Sequence, residues 1–148
     1  MTKFLAVIFL TILTSTSLFA SEFEGSWSGE GYVMSLEERD PVAAFFQISV
    51  SFSDELLSLE QCVLLKSGAS SQECSSATYK VVNDVVYNQF DEKIGDIFPG
   101  KIFILESNAQ VSEQIQLALN GSGELRFNYS YVNLDGESIT KKAYLQKD

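Results

Sequence analysis

The chain has 148 residues, with 20 acidic and 10 basic side chains, a formal charge of −10 and no histidine. An acidic balance of this size argues against nucleic acid and anionic membrane surfaces as partners, since both are held by Lys and Arg. The missing histidine removes a Ser-His-Asp triad, a Cys-His pair, a His-ligated haem and the usual catalytic zinc. Only carboxylate or tyrosine chemistry remains, which places an enzyme behind a binding protein, and no enzyme activity, cofactor or metal site is expected.

Met1-Thr2-Lys3 is followed by a nearly continuous apolar run from Phe4 to Leu13, then by Thr14 to Ser17 and a small residue at Ala20. A basic start, a short apolar run and a small residue before a polar stretch describe a secretory leader. The run falls short of the roughly 20 apolar residues of a membrane helix, so no membrane span is expected. Cleavage after Ala20 would leave Ser21 to Asp148 as one domain, secreted or periplasmic. It removes one base and no acid, which makes the mature chain slightly more acidic.

Strands follow in chain order. Ser26 to Ser35 is a first candidate. The clearest segment comes next: Phe46, Ile48, Val50 and Phe52 alternate with Gln47, Ser49, Ser51 and Ser53, the period of a half-buried strand. Leu56 to Lys66, Ala77 to Val82, Val85 to Phe90 and Lys101 to Glu106 are further candidates. Ile115, Leu117 and Leu119 alternate with polar or small neighbours, as do Phe127, Tyr129 and Tyr131, and Ser138 to Gln146 completes the series. Between them lie turn signals: Lys66-Ser67-Gly68, Asn83-Asp84, Pro99-Gly100, Asn120-Gly121-Ser122-Gly123 and Asp135-Gly136. Asn83-Asp84 and Asp135-Gly136 are short enough for tight hairpins. Helix has one place, Ser35 to Ala44, where Pro41 would confine it to a turn or two. The expected fold is all-β, a single antiparallel up-and-down barrel of about 8 to 10 strands, because closure removes exposed edges.

The first strand opens Phe23-Glu24-Gly25-Ser26-Trp27-Ser28-Gly29. A Gly-x-Trp at the first strand of a small antiparallel barrel resembles the calycin group: lipocalins, fatty-acid-binding proteins and their bacterial lipocalin-like relatives. The resemblance implies a barrel with an interior site. It also implies that Trp27 packs across the closed end, beneath a basic side chain from the last strands, for which Lys141, Lys142 and Arg126 are the candidates. The residues themselves also admit a plainer role for Trp27, as a core plug flanked by glycines where a strand bends.

Cys62 and Cys74 are the only cysteines, and in an oxidising compartment an even number favours a disulfide. The acidic groups Glu37-Glu38-Asp40, Asp54-Glu55 and Asp91-Glu92 with Asp96 fall in expected loops, where charge is ordinarily solvated. Asn120 and Asn128 each begin a glycosylation acceptor triplet. The leading functional expectation is an exported barrel that binds a small hydrophobic or amphipathic ligand inside, with Phe127, Tyr129 and Tyr131 on the ligand face. The alternative is a packed barrel that meets a protein partner, as an inhibitor does, through its acidic loops. Cavity volume separates the two.

Overall fold

The computed structural model describes residues 19–37, 40–66 and 72–148; the apolar run of the expected leader lies outside these residues. Ten strands follow one another: β1 (Gly25–Ser35), β2 (Val42–Ser53), β3 (Leu56–Leu65), β4 (Gln72–Val82), β5 (Val85–Tyr87), β6 (Lys93–Phe98), β7 (Lys101–Ser107), β8 (Val111–Leu119), β9 (Leu125–Asn133) and β10 (Ser138–Lys147). Each pairs antiparallel with the next in sequence, and β1 closes onto β10. The up-and-down barrel expected from the alternating segments is the observed fold.

Alternation sets which side chains point inward. Along β2, Ala44, Phe46, Ile48 and Val50 are buried while Gln47, Ser49 and Ser51 are exposed. The core continues through Leu57, Val81, Ile102, Leu117, Leu125 and Leu145, several of them without any exposed surface.

Tight turns gather at one end. Asn83-Asp84 joins β4 to β5 with φ of 51° and 62°, and Asp54-Glu55 joins β2 to β3 with φ of 49° and 65°. Two left-handed residues in succession suit the twist of a hairpin. Asp54-Glu55 is thus a structural turn as well as an acidic one. Pro99-Gly100 connects β6 to β7 with Gly100 at φ 68°, the position where a type II turn calls for glycine.

Two expectations need correction. The short helix admitted at Ser35 to Ala44 does not form among the described residues: Ser35 ends β1, Leu36-Glu37 is a bend, Val42 to Ala44 begin β2, and residues 38–39 lie outside the described residues. The residue before Pro41 is driven away from helical geometry, which leaves the segment to extend into β2. Among the described residues the short helix is instead a 3₁₀ turn at Ala20–Glu22. The acidic stretch Asp91 to Asp96 is not all loop either, since Lys93 to Phe98 form β6. Its pairing with β5 shifts register between Val86 and Tyr87, so Ile94 and Gly95 are both buried. A bulge of this kind breaks the period that marks a strand in sequence.

Candidate functional site

The barrel has a closed floor and an open mouth. At the floor the 3₁₀ turn crosses beneath the strands. Phe23 has no exposed surface, and Trp27 is 2% exposed and donates its indole N–H to the Phe23 carbonyl at 2.8 Å. Glu22 accepts the Gly100 amide at 2.6 Å and so ties the turn to the β6–β7 connection. Trp27 belongs to the buried cluster at this end of the barrel, with Phe23.

The cation over its ring is a different one. Lys147 Nζ lies 5.3 Å from the Trp27 ring, because the β1–β10 register sets Trp27 opposite Lys147. Lys141 pairs with Val33, about 20 Å further up the strand at the usual rise per residue. Arg126 and Lys142 face outward and are exposed, and Arg126 lies over the Tyr144 ring at 5.3 Å. Neither Arg126 nor Lys142 serves the floor.

Above the floor, Phe46 and Phe127 meet with ring centroids 6.0 Å apart. The cavity begins there. It encloses about 530 Å³, its lower wall formed by Ile48, Leu59, Ile115, Leu117 and Phe127 and its upper wall by Gln61, Tyr79, Asn88, Glu106, Glu113, Tyr129 and Lys141. Of the aromatic residues expected to face a ligand, Phe127 and Tyr129 line this space. Tyr131, one inward step nearer the mouth, is half-buried and not part of its wall.

The upper wall is polar on the inner face of strands that are apolar lower down. Glu106 and Glu113 are register partners on β7 and β8. Asn88 donates from Nδ2 to Glu92 at 2.9 Å and, more distantly, to Glu106 at 3.5 Å, while its Oδ1 accepts the Phe90 and Glu92 amides at 2.9 and 3.0 Å. One buried asparagine thereby shapes the β5–β6 loop at the mouth. Burial raises the Tyr129 hydroxyl well above its ordinary range, and Glu113 adds to this as a neighbouring charge and a hydrogen-bond acceptor. Tyr79 is raised in the same way, by burial first and then by Glu113 and Glu106. Lys141 Nζ lies 5.1 Å from the Tyr129 ring. Burial pushes this amine down, against the opposing pull of Glu73 and Glu113.

Gln61 donates its amide to Ser75 at 2.9 Å, yet its Oε1 is buried with no hydrogen-bond partner. A buried acceptor left unpaired costs about 1 to 3 kcal/mol. The sequence carried a signal for most of this wall: Glu113 continues the inward series Ile115, Leu117, Leu119 by one step, and Glu106 and Lys141 extend their strands' inward series likewise.

Near the mouth, Cys62 and Cys74 are opposite each other on β3 and β4 and are joined as a disulfide. Asn120 organises the β8–β9 turn, its Oδ1 accepting the Ser122 and Glu124 amides at 3.0 and 2.9 Å.

No protein-family model matches the sequence, and no curated protein is significantly similar to it. Solved structures are similar in fold. The S-type phycobiliprotein lyase CpeS from Guillardia theta superposes with a TM-score of 0.59 at 7% identity, over 86% of this chain and 89% of that one. Rv2717c from M. tuberculosis gives 0.57 at 13% identity, over 86% and 94%. A protein of unknown function of the DUF3598 family from Nostoc punctiforme gives 0.58 at 14% identity, over 88% of this chain and 49% of that one. These neighbours are antiparallel barrels of the calycin, lipocalin-like kind, and at such identities the likeness shows the fold alone.

Proposed function

We propose that the protein is an exported, lipocalin-like carrier that holds one small amphipathic molecule inside its barrel. The observation that carries this reading is the cavity of about 530 Å³, within the roughly 300 to 1,000 Å³ of small-molecule sites. A barrel built only to present its loops to a protein partner has no use for such a space. The apolar lower wall suits a hydrocarbon or ring, and the polar upper wall suits a head group. Phe127 and Tyr129 bridge the two levels.

Export is supported by the leader pattern of residues 1–20 and by the Cys62–Cys74 bond, which fits an oxidising compartment. Cleavage after Ala20 would release Phe19 and Ala20 from the floor and leave Phe23 and Trp27 in place. One neighbour in fold is a lyase, but the reading here is of binding without catalysis.

Native mass spectrometry of the protein purified from its host tests both halves of the proposal. The expected spectrum shows a mature chain that begins near Ser21 and carries one co-purified small molecule, which is lost on denaturation. An uncleaved chain in the cytosol refutes export. A chain that neither retains a molecule nor takes up any amphipathic compound refutes the carrier reading.

A further inference from the structure

On the reading that the interior holds a small amphipathic molecule, we infer that Lys141 is a point of reversible covalent attachment: its amine takes an apolar aldehyde as an imine, the carbon chain running down toward Ile115 and Phe127. The first observation is where the amine stands. Lys141 is half-buried and, of the described lysines, alone lines the cavity. Lys66, Lys80 and Lys93 are paired with Glu30, Asp91 and Asp96, Lys147 covers Trp27 at the floor, and Lys142 is exposed on the outer face. Lys141 points inward because β10 alternates, with Ala143 and Leu145 buried below it. The ring of its register partner Tyr129 lies 5.1 Å from Nζ.

The second observation is the chemical state this placement gives the amine. Among the described residues no carboxylate comes within ion-pairing distance of it. Glu73 and Glu113 act on it from further off, and burial pushes the amine below its ordinary range in spite of them. An amine held away from water and from a bonded counter-charge is more readily unprotonated, which is the form that attacks a carbonyl.

The step balances without a redox partner. The Nζ lone pair attacks the carbonyl carbon, the C=O π pair moves onto oxygen, and a proton passes from nitrogen to that oxygen to give a carbinolamine. The nitrogen lone pair then expels the hydroxyl, which takes up one proton and leaves as water. The iminium so formed returns that proton and becomes the imine; water added in reverse releases the aldehyde. The Tyr129 hydroxyl and Glu113, hydrogen-bonded to each other, are at hand to lend and take back the proton. Charge favours a carbonyl over an acid here. Protonated Lys141 and the iminium carry the same single positive charge, whereas a carboxylate ligand would bring a further negative charge beside Glu106 and Glu113, which line the same cavity.

The test is reductive trapping on the full mature chain. One equivalent of n-octanal is added, cyanoborohydride reduces any iminium to a stable secondary amine, and mass spectrometry of the intact chain and its peptides locates the octyl group. Aldehyde held in the cavity has a raised effective concentration at Nζ, so Lys141 should carry at least roughly tenfold more label than the exposed Lys142. Lys141→Arg should lose this label, with its fold checked by circular dichroism. Calorimetry with n-octanol, which has the same tail and no carbonyl, reads cavity binding alone. Label spread evenly over the exposed lysines, or none on Lys141 while octanol binds, overturns the inference and leaves the carrier reading intact. If neither octanal nor octanol binds, both readings fall. Because the label is mapped on the unaltered chain, the result stands even if Lys141→Arg fails to fold.

Discussion

The two ends of this barrel are made from the same ten strands and differ in almost every physical respect. At the floor, inward positions are apolar and filled, connections such as Asp54-Glu55, Asn83-Asp84 and Pro99-Gly100 are as short as hairpins permit, and a 3₁₀ turn seals the opening. Toward the mouth the same inward series carry Glu106, Glu113, Tyr129 and Lys141, the loops are longer, and a cavity remains. The difference shows a division of labour along each strand: the lower residues supply the hydrophobic stabilisation, and the upper ones are free to be polar because the lower ones already hold the strands together. Changes at the floor should therefore be read in stability, and changes at the mouth in binding.

The largest expected effect lies at the floor. Trp27 is buried, hydrogen-bonded to Phe23 and covered by Lys147, and large-to-small substitution of such a residue costs about 3 to 5 kcal/mol. Trp27→Ala should lose that much in urea unfolding, whereas Trp27→Phe should keep the fold. The native emission of Trp27 should be blue-shifted and poorly quenched by iodide. A red, freely quenched emission would place the indole in water and dissolve the contrast between the ends.

Next in size is the Cys62–Cys74 bond, which closes a loop of sequence separation 12 near the mouth. A loop of that length is worth about 3 kcal/mol in the chain-entropy model. Replacing both cysteines with alanine should lower stability by about this amount yet leave the Trp27 emission unchanged, because the floor is packed independently. A shift in that emission would mean that the two ends are coupled. Smaller again is Gly31→Ala. A Cβ at Gly31 would stand 2.0 Å from the Lys142 carbonyl oxygen, where β1 and β10 crowd together. Overpacking of this kind costs about 1 to 3 kcal/mol, seen as a lowered urea midpoint with barrel dichroism retained.

The closed half was the more legible in sequence. Phe46, Ile48, Val50 and their counterparts on β8 and β9 declare inward faces by alternation alone, and Asn83-Asp84 declares its turn. β6 was hidden because its bulge buries Ile94 beside Gly95, and two adjacent inward residues do not look like a strand. The partner of Trp27 was hidden for another reason. Which lysine covers the ring depends on the β1–β10 register, and Lys147 could be told from Arg126 or Lys142 only once that pairing was known. The polar wall was obscured by chemistry: Glu106 and Glu113 occupy inward positions where alternation leads one to expect apolar residues, and an acidic side chain in a strand is ordinarily read as solvated.

The smallest expected effect has the opposite sign, which makes it the sharpest probe of the comparison. Glu106 faces Glu113 across β7 and β8, and cross-strand pairs contribute roughly 0.2 to 1 kcal/mol, unfavourably when the charges are alike. Glu106→Gln keeps the size and the carbonyl that accepts from Asn88 while it removes one charge, so the ligand-free variant should be more stable than the parent by up to about 1 kcal/mol. The gain should shrink as salt is added, since screening weakens the repulsion in the parent. Urea unfolding of ligand-free protein at low and high ionic strength reads both effects. A loss of stability would mean that the carboxylate is structural at the mouth as Trp27 is at the floor. A gain would show that the polar wall holds repulsion in the empty barrel, whereas the floor holds none.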